Sequence, residues 1–278
     1  MRPAVSSSRP RDLIGRRNVL KKTVESWRPP LFVTSQGPKS RFFGVMRRFF
    51  DLQYASIWLD LAKLLMDIRG TVLDIGCGAQ PYRSLLSPGA TYLGLDTVDA
   101  NDHFGYKVPH TVYFKGSRWP AKSHTASTVL CTETLEHILD PSQIFREANR
   151  CLIPGGKIIL TVPFSARWHY VPYDYWRFTP SGLEHLLKSS NFSNIRVYAR
   201  GNSVTVACYK FMALILPLSL PQSPSFFKRM VSGILSVPFL PLLFLLWAVA
   251  YLSLWAEGGN DCLGYTVVAK SSRHADKK

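Results

Sequence analysis

The chain has 278 residues, which predicts one catalytic domain with appendages and excludes an assembly of several large domains. Its formal net charge is +16, and residues 1–50 hold twelve Lys or Arg against two acids, which favours an anionic partner such as a membrane surface or a nucleic acid. The five cysteines are scattered without a Cys-x-x-Cys pair or a histidine at ligand spacing. This pattern indicates neither a disulfide framework nor a metal site and favours a reducing, cytoplasmic setting.

The N-terminal part divides into a tail and a helical lead-in. Residues 1–40 are rich in Arg, Ser and Pro and lack hydrophobic periodicity, which predicts a basic, disordered tail that is either solvated or bound to an anionic surface. Residues 41–70 carry apolar side chains at spacings of three and four, which predicts one or two helices. These helices either cover a ligand pocket or simply pack on the sheet.

A glycine turn follows the first predicted strand. Thr71 to Ile75 has the pattern of a buried strand, and Gly76 and Gly78 come directly after it. Glycine permits a positive φ and lets a ligand approach the backbone closely. We expect this turn to open a helix whose free N–H groups also face the ligand.

A second apolar strand ends at Asp96, eighteen residues after Gly78. A carboxylate in this position can accept hydrogen bonds from both hydroxyls of a ribose, so the pair of strand ends predicts a nucleotide site. The third glycine of a dinucleotide fingerprint is replaced by Pro81, which disfavours NAD.

Three more strands are predicted in the core. The third is Thr111 to Phe114 and is followed by a turn that contains Ser117. Strand four is Ser127 to Cys131, and a helix capped by Asp140 follows it. Pro154, Gly155 and Gly156 are expected to stop that helix and lead into strand five, Lys157 to Val162.

Two sets of residues carry a resemblance to a known family. Asp74, Gly76, Gly78 and Asp96 resemble motifs I and II of the class I S-adenosylmethionine-dependent methyltransferases. The run from Thr132 to His137, and the later Leu152 to Gly156, resemble the T-E-x-L-E-H and L-x-P-G-G segments of the ubiquinone/menaquinone-type (type 11) group. The resemblance implies an α/β, Rossmann-like fold with seven strands, an antiparallel last strand and helices on both faces. It also implies a site for S-adenosylmethionine formed by Asp74, Gly76, Cys77, Gly78, Asp96, Ser117 and Thr132.

The loop from Pro163 to Phe178 is dense in aromatic and charged side chains. It leaves the carboxyl end of a parallel strand, where substrate contacts are expected in an open α/β sheet, and part of the family carries a similar loop. His169, His137 and Asp174 are the catalytic candidates, with a histidine acting as base or orienting the acceptor. Alternatively, the loop's aromatic side chains form the core of a lid, and His137 only bonds to the backbone.

A hydrophobic insertion separates the last two strands. Residues 71–202 are predicted to form the methyltransferase core, 203–260 the insertion, 261–270 the last strand and 271–278 a basic tail. The apolar block from Val231 to Trp255 is long enough to span a bilayer. Because strands six and seven must return to one sheet, an in-plane or re-entrant hairpin is favoured over two crossings. A buried helical subdomain or a dimer interface is the alternative.

These features together predict a methyltransferase at the inner face of the membrane that acts on a lipid-linked, glycan or quinone-like acceptor, with O-methylation favoured. The positive charge also suggests an RNA methyltransferase. However, Cys131, Thr132 and Glu133 differ from the Asn/Asp-Pro-Pro-Tyr/Phe sequence used for exocyclic base nitrogens, so nucleic acid is a disfavoured partner. A non-catalytic membrane scaffold with the same fold is a further alternative. The oligomeric state is left open.

Overall fold

The computed structural model of this protein describes residues 37–99, 108, 111–219 and 237–272. Its helices are α1 (Gly37–Phe50), α2 (Leu52–Leu65), α3 (Pro141–Cys151), α4 (Pro180–Ser189), α5 (Ser203–Ser219) and α6 (Leu240–Ser253). Its strands are β1 (Gly70–Ile75), β2 (Ala90–Thr97), β3 (Thr111–Phe114), β4 (Ala126–Thr132), β5 (Leu152–Pro163), β6 (Phe192–Arg200) and β7 (Gly264–Ser271). The predicted tails, 1–40 and 271–278, lie outside the described residues except where they open α1 and end β7.

The seven strands form one sheet in the order β3-β2-β1-β4-β5-β7-β6. The strands β1 to β5 run parallel to one another, whereas β7 is antiparallel to both of its neighbours, β5 and β6. This confirms the predicted Rossmann-like sheet with an antiparallel last strand. Because the parallel strands share one direction, the turns after β1, β2 and β4 all lie at the same edge.

Helices cover both faces of the sheet, as predicted. On one face, α2 packs its apolar side against β1, β4 and β5, through a cluster that includes Tyr54, Ile57, Leu61, Val72 and Leu130. On the other face, α3 and α4 bury an apolar stripe that comprises Ile144, Phe145, Ala148, Leu183 and Leu187. Parallel strands are stable only when both faces are covered in this way.

The helices α3 and α4 both begin at side chains that cap them. The Asp140 carboxylate accepts a hydrogen bond from the backbone N–H of Ser142 at 3.1 Å, and Thr179 accepts one from Gly182 at 3.2 Å. A proline follows each cap in the first helical turn, where its missing N–H costs no hydrogen bond. The cap predicted at Asp140 is confirmed.

The helix predicted after the glycine turn is absent from the described residues. Only a single 3₁₀ turn, Arg83–Leu85, lies between β1 and β2. Pro81 restricts the residue before it, and Gln80 takes a φ of 53°. Pro88 ends the segment seven residues after Pro81, so an α-helix has no room to form. The expectation that a helix N-terminus faces the ligand here was therefore wrong.

The glycine pair before strand five lies inside the strand. α3 ends at Cys151, and β5 begins at Leu152. The register between β4 and β5 shifts between Ala126 and Thr128, so the Pro-Gly-Gly segment forms a bulge in β5. Strand five is therefore longer at its start than the sequence predicts.

The insertion between β6 and β7 forms the helices α5 and α6 in its described part. These helices pack together through a small separate cluster, formed by Leu52, Val206, Cys208, Ala250 and Leu263. None of the described helices combines the length and the apolar character that a membrane crossing requires. Residues 220–236, which include the start of the second apolar block, lie outside the described residues.

Candidate active site

The glycine turn after β1 has the backbone that its sequence predicts. Gly76 and Gly78 have φ values of 64° and 50°, in the left-handed region that favours glycine. A Cβ at Gly76 would overlap the side chain of Thr134, which follows β4. The hydroxyl of Thr134 also donates to the Gly76 carbonyl at 3.3 Å. The turn and the segment after β4 therefore touch directly.

Asp96 lies beside this turn at the end of β2. Its carboxylate accepts hydrogen bonds from the N–H groups of Gly78 at 3.1 Å and Thr97 at 2.8 Å. Burial raises the pKa of Asp96, and these two hydrogen bonds act in the opposite direction. A carboxylate offers about four lone-pair sites, so about two remain for the hydroxyls of a ribose.

Asp74 is the buried acid at the end of β1. Its Oδ2 accepts a hydrogen bond from the Tyr92 hydroxyl at 2.7 Å, but its Oδ1 has no hydrogen-bond partner among the described residues. Burial raises the pKa of Asp74 to about 7, and the hydrogen bond from Tyr92 opposes that rise. A buried carboxylate with one oxygen that lacks a hydrogen-bond partner is uncommon in a protein core and is typical of a functional site.

The remaining predicted cofactor residues differ in their surroundings. The Cys77 side chain is buried, and a Cβ at Gly94 would come within 2.9 Å of its sulfur, so Cys77 can face a ligand only through its backbone. Thr132 is the last residue of β4 and lies at the same sheet edge as Asp96. Ser117 is exposed in the turn after β3.

His137 lies in the 3₁₀ turn Leu135–His137, directly after β4. Its Nδ1 is 2.8 Å from the carbonyl oxygen of Tyr173, and its Nε2 is 3.7 Å from Oε1 of Glu136. A carbonyl can only accept a hydrogen bond, so Nδ1 carries the proton of the neutral ring. Burial lowers the pKa of His137 to about 4, so the ring is neutral at physiological pH.

His169 is held by an ion-pair network in the loop after β5. Its Nδ1 lies 3.0 Å from Oδ2 of Asp174, and Arg177 binds both oxygens of that carboxylate at 2.6 and 2.7 Å. Burial raises the pKa of Asp174, but the hydrogen bonds from Arg177 and His169 outweigh it and hold the pKa well below its usual range. Asp174 is thus ionised and positions His169.

The two histidines predicted as catalytic candidates lie next to each other in the structure. The ring centroids of His137 and His169 lie 5.1 Å apart in an edge-to-face arrangement. Ligand atoms of Glu136, His137 and His169 all lie within 4.8 Å of one another. The spacing of these residues in the sequence does not indicate such a group. Glu136 and His169 are far apart along the chain, and only the fold brings them together.

Sequence reasoning missed several residues that support the site. Thr134 and Glu136 stand inside the segment from Thr132 to His137, but nothing in the sequence shows that Thr134 packs on Gly76. The ion pair between Arg177 and Asp174 lies in an irregular loop, where a spacing of three does not by itself predict contact. A further supporting residue is buried Arg200 of β6, whose guanidinium donates to Glu133 at 2.9 Å and so ties β6 to the segment after β4.

A sequence model of the family described as "Methyltransferase domain" matches residues 46–197, more than half of the chain. The chain belongs to the class I S-adenosylmethionine-dependent methyltransferases. An "Uncharacterized methyltransferase" from Mycobacteroides abscessus is 25% identical over 159 residues, which cover 54% of this methyltransferase and 60% of the relative. A "Ubiquinone biosynthesis O-methyltransferase" from Xanthomonas euvesicatoria pv. vesicatoria is 30% identical over 148 residues, which cover 48% of this chain and 59% of the relative. The chain thus spans less than two thirds of the length of these curated relatives.

Two solved structures are among those similar to this chain. Phosphoethanolamine N-methyltransferase 2 from Haemonchus contortus, in complex with S-adenosyl-L-methionine, has a TM-score of 0.46 and 18% identity, and the match covers 87% of this chain and 59% of that chain. A SAM-dependent methyltransferase from Aquifex aeolicus has a TM-score of 0.42 and 14% identity, and the match covers 60% of this chain and 90% of that chain.

The strand ends of this methyltransferase fit S-adenosylmethionine. The Asp96 carboxylate retains lone pairs for a ribose diol after accepting its two backbone hydrogen bonds. Asp74 Oδ1 is a buried acceptor without a partner among the described residues. The positive φ values of Gly76 and Gly78 keep the turn compact next to both acids. These residues, with the backbone of Cys77, are the ones expected to hold the cofactor.

Proposed function

We propose that this methyltransferase transfers a methyl group from S-adenosylmethionine to a hydroxyl oxygen of its acceptor. The observation that carries the proposal is the link between the two halves of the site. Thr134 contacts the glycine turn, and Glu136 and His137 follow it within three residues. The cofactor residues and the histidine pair are therefore neighbours at one edge of the sheet.

When it is bound, S-adenosylmethionine supplies an electrophilic methyl group, so the protein chiefly has to position the two reactants. Asp96 would hold the ribose, and the glycine turn would hold the methionine part. A hydroxyl acceptor must also lose its proton as the oxygen attacks the methyl carbon. His169, fixed by Asp174, and His137, neutral at physiological pH, are suited to orient the acceptor or accept that proton.

The class of acceptor is supported by two observations. Several relatives at 25% to 30% identity are named ubiquinone biosynthesis O-methyltransferases, and the loop that carries His169 exposes large aromatic side chains, Trp168, Tyr175 and Trp176. Exposed aromatic rings beside a histidine pair suit a flat or lipid-linked molecule that carries hydroxyl groups. We therefore propose a quinone-like, lipid-linked or glycan acceptor.

We further propose that the protein docks on an anionic membrane surface. α1, α5 and α6 expose large apolar side chains; α1 contacts α6 where the ring centroids of Phe49 and Trp247 lie 4.3 Å apart. α1 also carries Arg41, Arg47 and Arg48. Apolar helices beside basic residues are typical of proteins that lie in the membrane interface.

Replacement of His169 by alanine tests the proposed chemistry. We expect the turnover number to fall by at least about tenfold, because the acceptor hydroxyl loses the group that orients or deprotonates it. The affinity for S-adenosylmethionine should be unchanged, since His169 follows β5 and the cofactor residues follow β1 and β2.

The matched control is His185→Ala, which removes an exposed histidine from α4. Its turnover should equal that of the natural sequence. Because the acceptor is unidentified, both variants are assayed in cell extracts with a labelled methyl donor. An unchanged turnover in His169→Ala would exclude the proposed role of this residue.

A further inference from the structure

Glu136 is a buried acid whose oxygens lack the partners that such a group needs. Its exposed fraction is 0%, and neither carboxylate oxygen has a hydrogen-bond partner among the described residues. Nε2 of His137 lies 3.7 Å from its Oε1, but the His137 ring is neutral at physiological pH and brings no positive charge. A buried carboxylate that stays ionised needs a partner or a cation that compensates for its lost hydration.

The two histidines nearest to Glu136 have the arrangement of metal ligands. Nδ1 of His137 lies 2.8 Å from the Tyr173 carbonyl oxygen, and Nδ1 of His169 lies 3.1 Å from the Arg167 carbonyl oxygen. Each Nδ1 therefore carries a proton in the neutral ring, and each Nε2 carries the lone pair. Metal-binding histidines usually donate their other N–H to a carbonyl or carboxylate in this manner.

The three side chains converge closely enough for one ion. Their ligand atoms lie within 4.8 Å of one another, whereas ligands around a tetrahedral zinc ion lie about 3.4 Å apart. A small rotation of each side chain would close this difference. His169 is partly exposed and lies on a loop, so it can make such an adjustment.

We propose that Glu136, His137 and His169 together bind one divalent transition-metal ion of the zinc class. Two imidazole nitrogens and one carboxylate oxygen are ligands that suit Zn²⁺, and three protein ligands leave a position open for an oxygen atom. Asp174 and the carbonyl oxygens that hold the two Nδ1 atoms would form the surrounding layer that fixes the ligands.

The role of this ion rests on the function proposed above. The open position would hold the acceptor hydroxyl, which loses its proton to water more readily when it is bound to a metal ion. The oxygen then forms a bond to the methyl carbon, and the electron pair of the broken carbon–sulfur bond remains on sulfur. The two histidines would thus orient the acceptor through the ion and would not themselves accept the proton.

Metal binding is tested directly on the full chain. The protein is freed of metal with a chelator and titrated with ZnCl₂ by calorimetry, and binding of CoCl₂ is followed through its visible absorption. We expect one site per chain, and an affinity at least about tenfold lower in Glu136→Gln and in His169→Ala. The control variants are Glu184→Gln and His185→Ala, which alter α4 and should bind zinc as tightly as the natural sequence does.

Two further measurements make the result unambiguous. Thermal unfolding without metal shows whether Glu136→Gln folds; if it does not, the partly exposed His169→Ala decides the matter. Calorimetry with S-adenosylhomocysteine tests the cofactor site separately. Absence of zinc binding, or zinc binding unchanged in His169→Ala, overturns the metal proposal even if the cofactor binds. Zinc binding without cofactor binding overturns the proposed function and leaves the metal site standing.

Discussion

Asp74 and Asp96 are both buried carboxylates at neighbouring strand ends, but their partners differ. Asp96 accepts two backbone hydrogen bonds, whereas Asp74 accepts one from the Tyr92 hydroxyl and keeps one oxygen without a partner among the described residues. Burial therefore raises the pKa of Asp74 to about 7. An acid with such a pKa binds its proton more tightly in the folded protein than in the unfolded chain.

Replacement of Asp74 by asparagine should change how stability depends on pH. In the natural sequence the folded state keeps the proton up to about pH 7, whereas the unfolded chain loses it near pH 3.9. The contribution of this group to the free energy of unfolding is therefore full below the unfolded pKa and is lost as the pH rises towards 7. Asparagine cannot ionise, so the stability of Asp74→Asn should not fall through this group as the pH rises from 5 to 8.

Urea unfolding of the cofactor-free protein at pH 5 and pH 8 measures this effect. The difference in unfolding free energy between Asp74→Asn and the natural sequence should grow in favour of the variant from pH 5 to pH 8. Asp67→Asn, which alters an exposed acid, should show no such change. An equal difference at both pH values would show that Asp74 is ionised throughout this range.

The sequence predicts a residue of this site when the residue's conformation and position follow from the pattern of its own short segment. The conformations of Gly76 and Gly78 and the position of Asp96 follow from the pattern of strand, turn and strand, and the structure agrees. Thr134 and Glu136 are different, because their importance depends on contacts with segments far away in the chain. Sequence spacing alone does not give such contacts.

At the scale of elements, the strands were predicted better than the segments that join them. The strands are long apolar runs, so their burial is visible in the sequence. The missing helix after the glycine turn shows the opposite case, because Pro81 and Pro88 leave too few residues between them for an α-helix. The bulge in β5 likewise depends on its pairing with β4.

Two exposed apolar side chains of α6 allow the proposed membrane contact to be tested. Phe244 and Leu252 of α6 are 65% and 70% exposed, so replacing both with serine removes little packing from the protein. We expect the double variant to float less with vesicles of anionic phospholipid than the natural sequence does, because it has less apolar surface to insert. Its thermal unfolding should be nearly unchanged.

The matched control is Met66→Ser, which removes another exposed apolar side chain, at the end of α2. This variant should float as the natural sequence does. If the natural sequence does not float, or if the double variant floats equally well, α6 does not dock on membranes. The exposed surface would then be better explained as an interface with a protein partner.

For the molecule as a whole, the fold brings two kinds of chemistry to one edge of the sheet. The ends of β1 and β2 carry the acids and glycines that we propose hold the cofactor, and the segments after β4 and β5 carry the histidine pair. The buried Arg200 connects β6 to the segment after β4. The helices of the insertion follow β6 and precede β7 along the chain. We thus propose separate parts of one protein for contacts with the cofactor, the acceptor and the membrane.

The most direct test of this account is calorimetric titration of the full chain with S-adenosylhomocysteine. We predict one binding site per chain, with an affinity at least about tenfold lower in Asp96→Ala, because the ribose loses charge-assisted hydrogen bonds. Asp67→Ala, at an exposed site, should bind as the natural sequence does. No measurable binding by the natural sequence, or equal affinity in Asp96→Ala, would contradict the assignment of the cofactor site.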